Sequence, residues 1–408
     1  MKPIDRLGLG LAVVAIALWL GSGSVAGAQP PIRIGASYSQ TGSLAAMGRN
    51  QLHGVQLCVK HASDRGGVLG RRLVLLVEDD LSKGETAAAI YEKLIAQDKV
   101  DAIIGPYSSP ITEVMADVTE RHRMPMVAAG AATTSIFRKG RKFIFGIHSP
   151  SEVYLEGLID LAVSRGLKTV AVIYEDTLLQ KTIAQGALEL AKKRGLQIVV
   201  AESYPKGTTD FGGILRRVKI ASPDVLAAAT YEVVVITRLL KELGINPKMF
   251  GATVGVALPK FQEALGRDAE FVYGASQWEP ELVTLRAGGL IPIARQYPGA
   301  REFVEAYRKE FPGAELSYHS AAGYGGCQVL IEAIRRAGAL DGEKVRETIL
   351  KLDFNTAFGA FKVEQDGFQI AHKMVLFQWQ EGKKVIVWPE EIAAGKPRFP
   401  TPPWSQRQ

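Results

Sequence analysis

Two short loops hold the residue types best suited to gripping a small polar molecule. In Gly105-Pro106-Tyr107-Ser108-Ser109 an apolar run ends in two hydroxyls, and a helical pattern follows. The first turn of such a helix exposes free backbone N–H groups, so serines beside its positive end suit a carboxylate or another anion. Ser109 is equally an ordinary helix N-cap, and the two roles can coexist. Ala131-Ala132-Thr133-Thr134-Ser135 offers backbone amides and hydroxyls with little side-chain bulk, although the same pattern is a common helix start.

The residues needed for turnover do not assemble. The histidines are His53, His61, His122, His148, His319 and His372, and no pair has the short helical spacing of a zinc site. Neither Cys58 nor Cys327 belongs to a metal-binding cluster, and no Gly-x-Ser-x-Gly elbow, Walker A loop or Gly-x-Gly-x-x-Gly turn follows the first strand. Asp79-Asp80 is a candidate carboxylate pair, but adjacent strand residues point to opposite faces, which favours a strand-end turn and helix cap. The expectation is a binding protein and not an enzyme, with no cofactor and no metal.

Such loops need a scaffold, and the chain supplies one by alternating β-rich runs with longer helical patterns. Ile32 to Ser37, Arg72 to Asp79, Asp101 to Gly105 and Met124 to Ala128 read as strands, with helices over about 45–64, 86–97 and 109–121. Near-continuous apolar strands bounded by helices indicate a parallel sheet covered on both faces. The pattern restarts near residue 148, with strands at Thr169 to Tyr174, Gln197 to Ala201, Val225 to Ala229 and Met249 to Thr253. The fold class expected is α/β, with two doubly wound units. Ligands of such sheets bind at the carboxyl ends of the strands. The turns to watch are 37–47, 105–109, 129–134, 175–181, 230–231 and 253–256. Further on, helices are expected near 301–309, 321–337 and 342–350. A hairpin is expected from Phe358 to Val363 and Met374 to Trp379 around Asp366-Gly367, followed by an extended, exposed Pro-rich tail, 389–408.

Composition agrees with two globular domains: 408 residues, 47% hydrophobic and 22% charged, with no long low-complexity tract. Lys2 and Arg6, the apolar run Leu7 to Leu20 and then Ala26-Gly27-Ala28 form the three parts of a secretory signal peptide, 1–28. The mature chain would begin near Gln29. No Cys follows the apolar run directly, so a lipid anchor there is not expected, and a freely diffusing protein of an oxidising periplasm fits. Net charge falls from +7 to +6 when Lys2, Asp5 and Arg6 leave with that segment. The basic runs Arg71-Arg72, Lys192-Lys193-Arg194 and Lys383-Lys384 lack interleaved aromatics, which indicates solvated surface and no nucleic-acid partner. Two cysteines permit one disulfide. Cys58 also shares a helical face with Val55, Val59 and Ala62, so a small buried core residue explains it equally well.

In combination and order, IRIGASYSQTG, GGVLGRRLVLLVEDD, IIGPYSS, AAGAATT, YPKGTTDF and PDVLAAATY are specific. Across Ile32 to Trp388 the chain resembles the leucine/isoleucine/valine (branched-chain amino-acid) family of periplasmic binding proteins of ABC transporters. The resemblance implies two Rossmann-like lobes joined by a three-crossover hinge, the type I periplasmic-binding fold. It places lobe 1 at 29–147 plus 279–356 and lobe 2 at 148–278 plus 357–388. It also implies a monomer that carries a small-molecule ligand to a membrane permease.

Ligand positions carry over one at a time. The family's carboxylate-binding serine matches Ser109, in the same loop as Tyr107 and Ser108. Its Ala-Ala-Thr turn matches Ala131 and Thr133, and its lobe 2 tyrosine matches Tyr231. Met47 stands where an aromatic often lines lobe 1, and Leu179 falls within the Thr177-to-Gln180 stretch that replaces another. The family's ammonium-binding Glu is missing, because the stretch at Thr253 reads Gly251-Ala252-Thr253-Val254-Gly255. Glu175, Asp176 or Glu232 can substitute, although surface and capping roles suit each better. Trp278, near the hinge, either walls the ligand or packs in the core, and 281–297 is an unmatched insertion. The ligand expected first is an aliphatic amino acid. An aromatic or short-chain carboxylate comes next, and a sensor acting through a partner protein is the alternative of another class.

Overall fold

The computed structural model describes residues 29–284 and 297–407. The expected signal peptide and most of the insertion 281–297 lie outside the described residues. β1 (Ile32–Tyr38), β2 (Leu73–Asp79), β3 (Ala102–Ile104), β4 (Met126–Ala128) and β5 (Ile144–Gly146) form an all-parallel sheet in the order β2-β1-β3-β4-β5. Helices α1 (Ala45–Asp64), α2 (Gly84–Ala96) and α3 (Ser109–His122) link the first four strands. In β1, Ile32 and Ile34 through Tyr38 are all buried, which explains a strand without polar alternation: both of its faces are covered.

A second sheet holds β6 (Thr169–Glu175), β7 (Gln197–Tyr204), β8 (Val225–Ala229), β9 (Met249–Ala252) and β10 (Tyr273–Ser276), parallel in the order β10-β9-β8-β6-β7. Its helices are α4 (Glu156–Ser164), α5 (Leu178–Lys193), α6 (Gly212–Ala221), α7 (Val233–Glu242) and α8 (Pro259–Leu265). The chain then returns to the first sheet through α9 (Ala300–Glu310), α10 (Tyr318–Ala337) and α11 (Gly342–Ile349). Helix α10 lies along α1 so closely that a Cβ on Gly54 would collide with the Ser320 carbonyl, and one on Gly323 with that of Gln51. On this seam Cys58 and Cys327 form a disulfide, with Cα atoms 6.2 Å apart, which decides between the two readings of the cysteines.

Three expectations from the sequence need correction. The hairpin around Asp366-Gly367 is not made between the two expected strands. β12 (Ala360–Lys362) pairs with β11 (Asp353–Asn355), while β13 (Val375–Gln380) extends the second sheet antiparallel to β10 and β14 (Lys383–Trp388) pairs antiparallel with β13. Next, the segment after 356 does not pass at once to lobe 2. Gly146 N–H donates to the Gly367 carbonyl (2.9 Å), and Phe368 packs with Phe137 and Ile144, so this stretch stays on the first sheet until about residue 371. The tail, finally, is docked. Thr401 N–H donates to the Lys248 carbonyl (3.0 Å), and the Trp404 indole to that of Ile245 (2.9 Å). Arg407 lies over the Trp404 ring.

Three crossings therefore join the two lobes, and polar groups tie them together. Ser149 N–H donates to Gln277 Oε1 (3.0 Å), and Gln277 Nε2 donates to the Ser149 carbonyl (3.2 Å). Ser149 Oγ donates to the His372 carbonyl (2.9 Å), and His372 Nε2 to that of Gln277 (2.9 Å). All three side chains are buried. Nearby, Lys384 of β14 forms a buried ion pair with Glu279 at the second crossing.

Candidate functional site

The loops after β3 and β4 are built as one unit. Ser108 is the N-cap residue of α3, and Ser109 occupies its first turn. The buried Ser109 hydroxyl accepts a hydrogen bond from Ala132 N–H (3.1 Å), and Tyr107 bridges to Gly130. Gly130 permits this approach, because a Cβ there would lie 2.6 Å from both the Pro106 carbonyl and Gln51 Oε1. Thr133 Oγ1 is fully buried in this loop without a hydrogen-bond partner. A buried hydroxyl left unpaired costs about 1–3 kcal/mol, so it is a natural contact for a bound acceptor.

The loop after β1 forms one rim. Asp79 accepts from the backbone N–H groups of Gln40 and Leu81 (2.9 Å each), and Asp80 accepts from Ser39 Oγ (2.6 Å) and Ser37 Oγ (3.1 Å). The two carboxylates thus fasten turns, as expected. They do not cap α2, whose N-cap is Lys83.

Between the lobes lies a cleft of about 600 Å³, within the usual range for small-molecule sites. Leu44, Ser108, Ile111 and Val114 line it from the first lobe; Glu175, Leu179, Tyr231 and Glu232 line it from the second. Beside it, Met47 and Tyr107 meet Leu258 and Tyr231 in a small apolar cluster that spans the lobes. Burial raises the Tyr107 hydroxyl pKa and pushes Tyr231 up to about 12, so both phenols stay neutral hydrogen-bonding groups.

Of the positions singled out in the sequence, Ser108, Leu179 and Tyr231 line the cleft, and Met47 and Tyr107 pack beside it. Ser109, Ala131 and Thr133 are buried and do not line it. Thr253 is buried, donating to Gln180 Oε1 (3.3 Å). Trp278 is not brought there: it is fully buried with its ring edge-on to Phe303.

Glu175 is the residue whose place the sequence reading undervalued. It ends β6 and lines the cleft with only 3% of its surface exposed. Burial raises its pKa, while the Thr177 hydroxyl and Lys206 oppose that rise. Asp176, by contrast, is exposed and pairs with Lys181 (2.6 Å). The available signal was position: Glu175 directly follows the apolar run TVAVIY at a strand's carboxyl end.

Leu/Ile/Val-binding protein homolog 7 of Brucella suis biovar 1 (strain 1330) is 28% identical over 397 residues, covering 92% of this chain and 96% of the relative. The leucine binding protein LivK of Thermotoga maritima is 26% identical with a TM-score of 0.76, covering 87% of this chain and 97% of that one. LivJ of Streptococcus pneumoniae, solved with isoleucine, is 23% identical with a TM-score of 0.75; the match covers 88% of this chain and 100% of that one, a likeness of fold. These relatives are binding proteins and not enzymes, and the fold is that of type I periplasmic binding proteins. With the profile of the periplasmic binding protein family matched over residues 31–384, the chain belongs to that family.

Proposed function

We propose that the protein is an extracytoplasmic receptor of an ABC importer, capturing a small carboxylate-bearing ligand between its lobes and delivering it to a membrane permease. One observation carries this reading: Ser108, the N-cap residue of α3, lines an inter-lobe cleft from the first lobe, and its neighbour Ser109 ties this loop to Ala132 in the loop after β4. Amides, hydroxyls and a helix N-terminus together suit an anionic head group. Leu44, Ile111, Val114 and Leu179 leave the rest of the cleft apolar, which suits an aliphatic tail. The names of the relatives agree with a branched-chain or other aliphatic amino acid.

The second reading, a carboxylate without an amine, is favoured by the absence of an acidic residue in the stretch 251–255. A thermal-shift screen of residues 29–408 against amino acids and aliphatic and aromatic carboxylates tests the proposal. A ligand at 100 times its Kd stabilises the folded state by about 2.7 kcal/mol, which is readily seen. Stabilisation by either class is expected. No response from any carboxylate would overturn the reading.

A further inference from the structure

We propose that Glu175 is the anion that receives the ammonium group of an α-amino-acid ligand, from a different strand end than the one left without an acid. The inference rests on the cleft being a carboxylate-ligand site.

In the second sheet β9, β8 and β6 lie side by side, so their carboxyl ends present Thr253, Tyr231 and Glu175 in a row. Gln180 connects the row through its hydrogen bond with Thr253. The first position carries a hydroxyl where a carboxylate would serve; the third carries the carboxylate, two strands away along the same cleft edge.

Three carboxylates line this cleft, and their burial separates them. Glu85 is exposed and Glu232 half-buried, so water satisfies both. Glu175 is 97% buried by its 3% exposure, and its Oε1 has no hydrogen-bond partner. A carboxylate taken out of water without a partner is costly, and a cation delivered with the ligand relieves that cost. The charged and titratable groups facing it are Lys206, Glu232, Tyr204 and Tyr231. Of these only Lys206 is cationic, and it is exposed on the β7–α6 loop. On the opposite wall Ser108, at the N-terminus of α3, receives the carboxylate, so the two ends of a zwitterion bridge the lobes.

The test pairs each α-amino acid with its deaminated acid, leucine against 4-methylpentanoate and valine against 3-methylbutanoate. Calorimetry is run on the wild type, Glu175→Gln and the control Asp176→Asn. The expected result is that leucine or valine binds and that Glu175→Gln weakens it by roughly 30-fold or more, the loss typical of an unpaired buried charge. Asp176→Asn should leave binding unchanged. If Glu175→Gln does not fold, the wild type still decides: affinity for the amino acid, and not for its deaminated acid, should fall as pH drops and Glu175 takes up a proton. Unaltered affinity in Glu175→Gln, the same pH dependence for the amino acid and its deaminated acid, or binding of only the deaminated acids would overturn the assignment while leaving the receptor function standing. Binding of neither class would overturn both.

Discussion

Reducing the Cys58–Cys327 disulfide should destabilise the first lobe by about 5 kcal/mol, a figure that follows from where the chain goes between the two cysteines. They are 269 residues apart, and the chain-entropy relation for a loop of that length gives about 5.6 kcal/mol at 25 °C. The intervening chain includes most of the second lobe, which enters at Ser149 and leaves at Gln277, residues hydrogen-bonded to each other. If that lobe stays folded while the first opens, the flexible loop shrinks to about 140 residues, and the same relation gives about 5.0 kcal/mol. The dependence on length is logarithmic, so the prediction hardly changes with the unfolding order. The assay is guanidinium chloride unfolding with and without a thiol reductant, with hydrogen exchange of α1 and α10 as the local readout. Trp379, Trp388 and Trp404 all belong to the second lobe and report it by fluorescence. A loss below about 1 kcal/mol would show that the cross-link does not restrict the unfolded chain as argued.

Other outcomes follow from single contacts. Ser109→Ala leaves the buried Ala132 N–H without its acceptor and should cost about 1–3 kcal/mol in urea unfolding; an unchanged midpoint would contradict the tie between the two loops. Trp404→Ala removes the docked tail's indole contact with Ile245 and its stack with Arg407, so proteolysis should cut after residue 388 faster than in the wild type. Burial holds His148 at about 4 and both His319 and His372 at about 3, below the unfolded value of about 6.5. Depressed values mean that the unfolded chain binds protons first. The histidine contribution to stability is therefore full above about pH 6.5 and falls as pH drops towards 4, by up to about 1.4 kcal/mol per pH unit for each ring, and the buried Glu279 carboxyl, raised to about 7, opposes it. Urea midpoints at pH 7.5, 6 and 5 measure the slope, and a flat profile would mean that these rings already carry protons in the folded state.

The parallel strands of both sheets were legible because most of them are buried on two faces and so stand out as apolar runs. The last strands were not. Phe358–Val363 and Met374–Trp379 look alike, and Asp366-Gly367 is a good turn signal, yet β13 finds one partner about 100 residues earlier, in β10. Its other partner follows a turn at Glu381-Gly382, both with positive φ, a signal hidden by a residue type rarely placed there. Proline in the tail suggests solvent-exposed chain, whereas Thr401, Trp404 and Arg407 dock it. At the cleft, the hydroxyl loops were visible as motifs. Glu175 was visible only as a position, because charge argues for the surface and only the fold places it inside.

The seam between α1 and α10 also sets a clock. At roughly 5–20 residues per second, the ribosome needs on the order of 13–54 s to add the 269 residues that separate its two cysteines. Throughout that interval α1 has been made and α10 has not, so the Cys58 thiol and the backbone beside Gly54 lack the partners they have in the finished seam. By the end of it all five strands of the first sheet and β6 to β10 of the second have been made. The seam can therefore close only after the chain has been to the second lobe and back, and before β13, β14 and the tail complete that lobe.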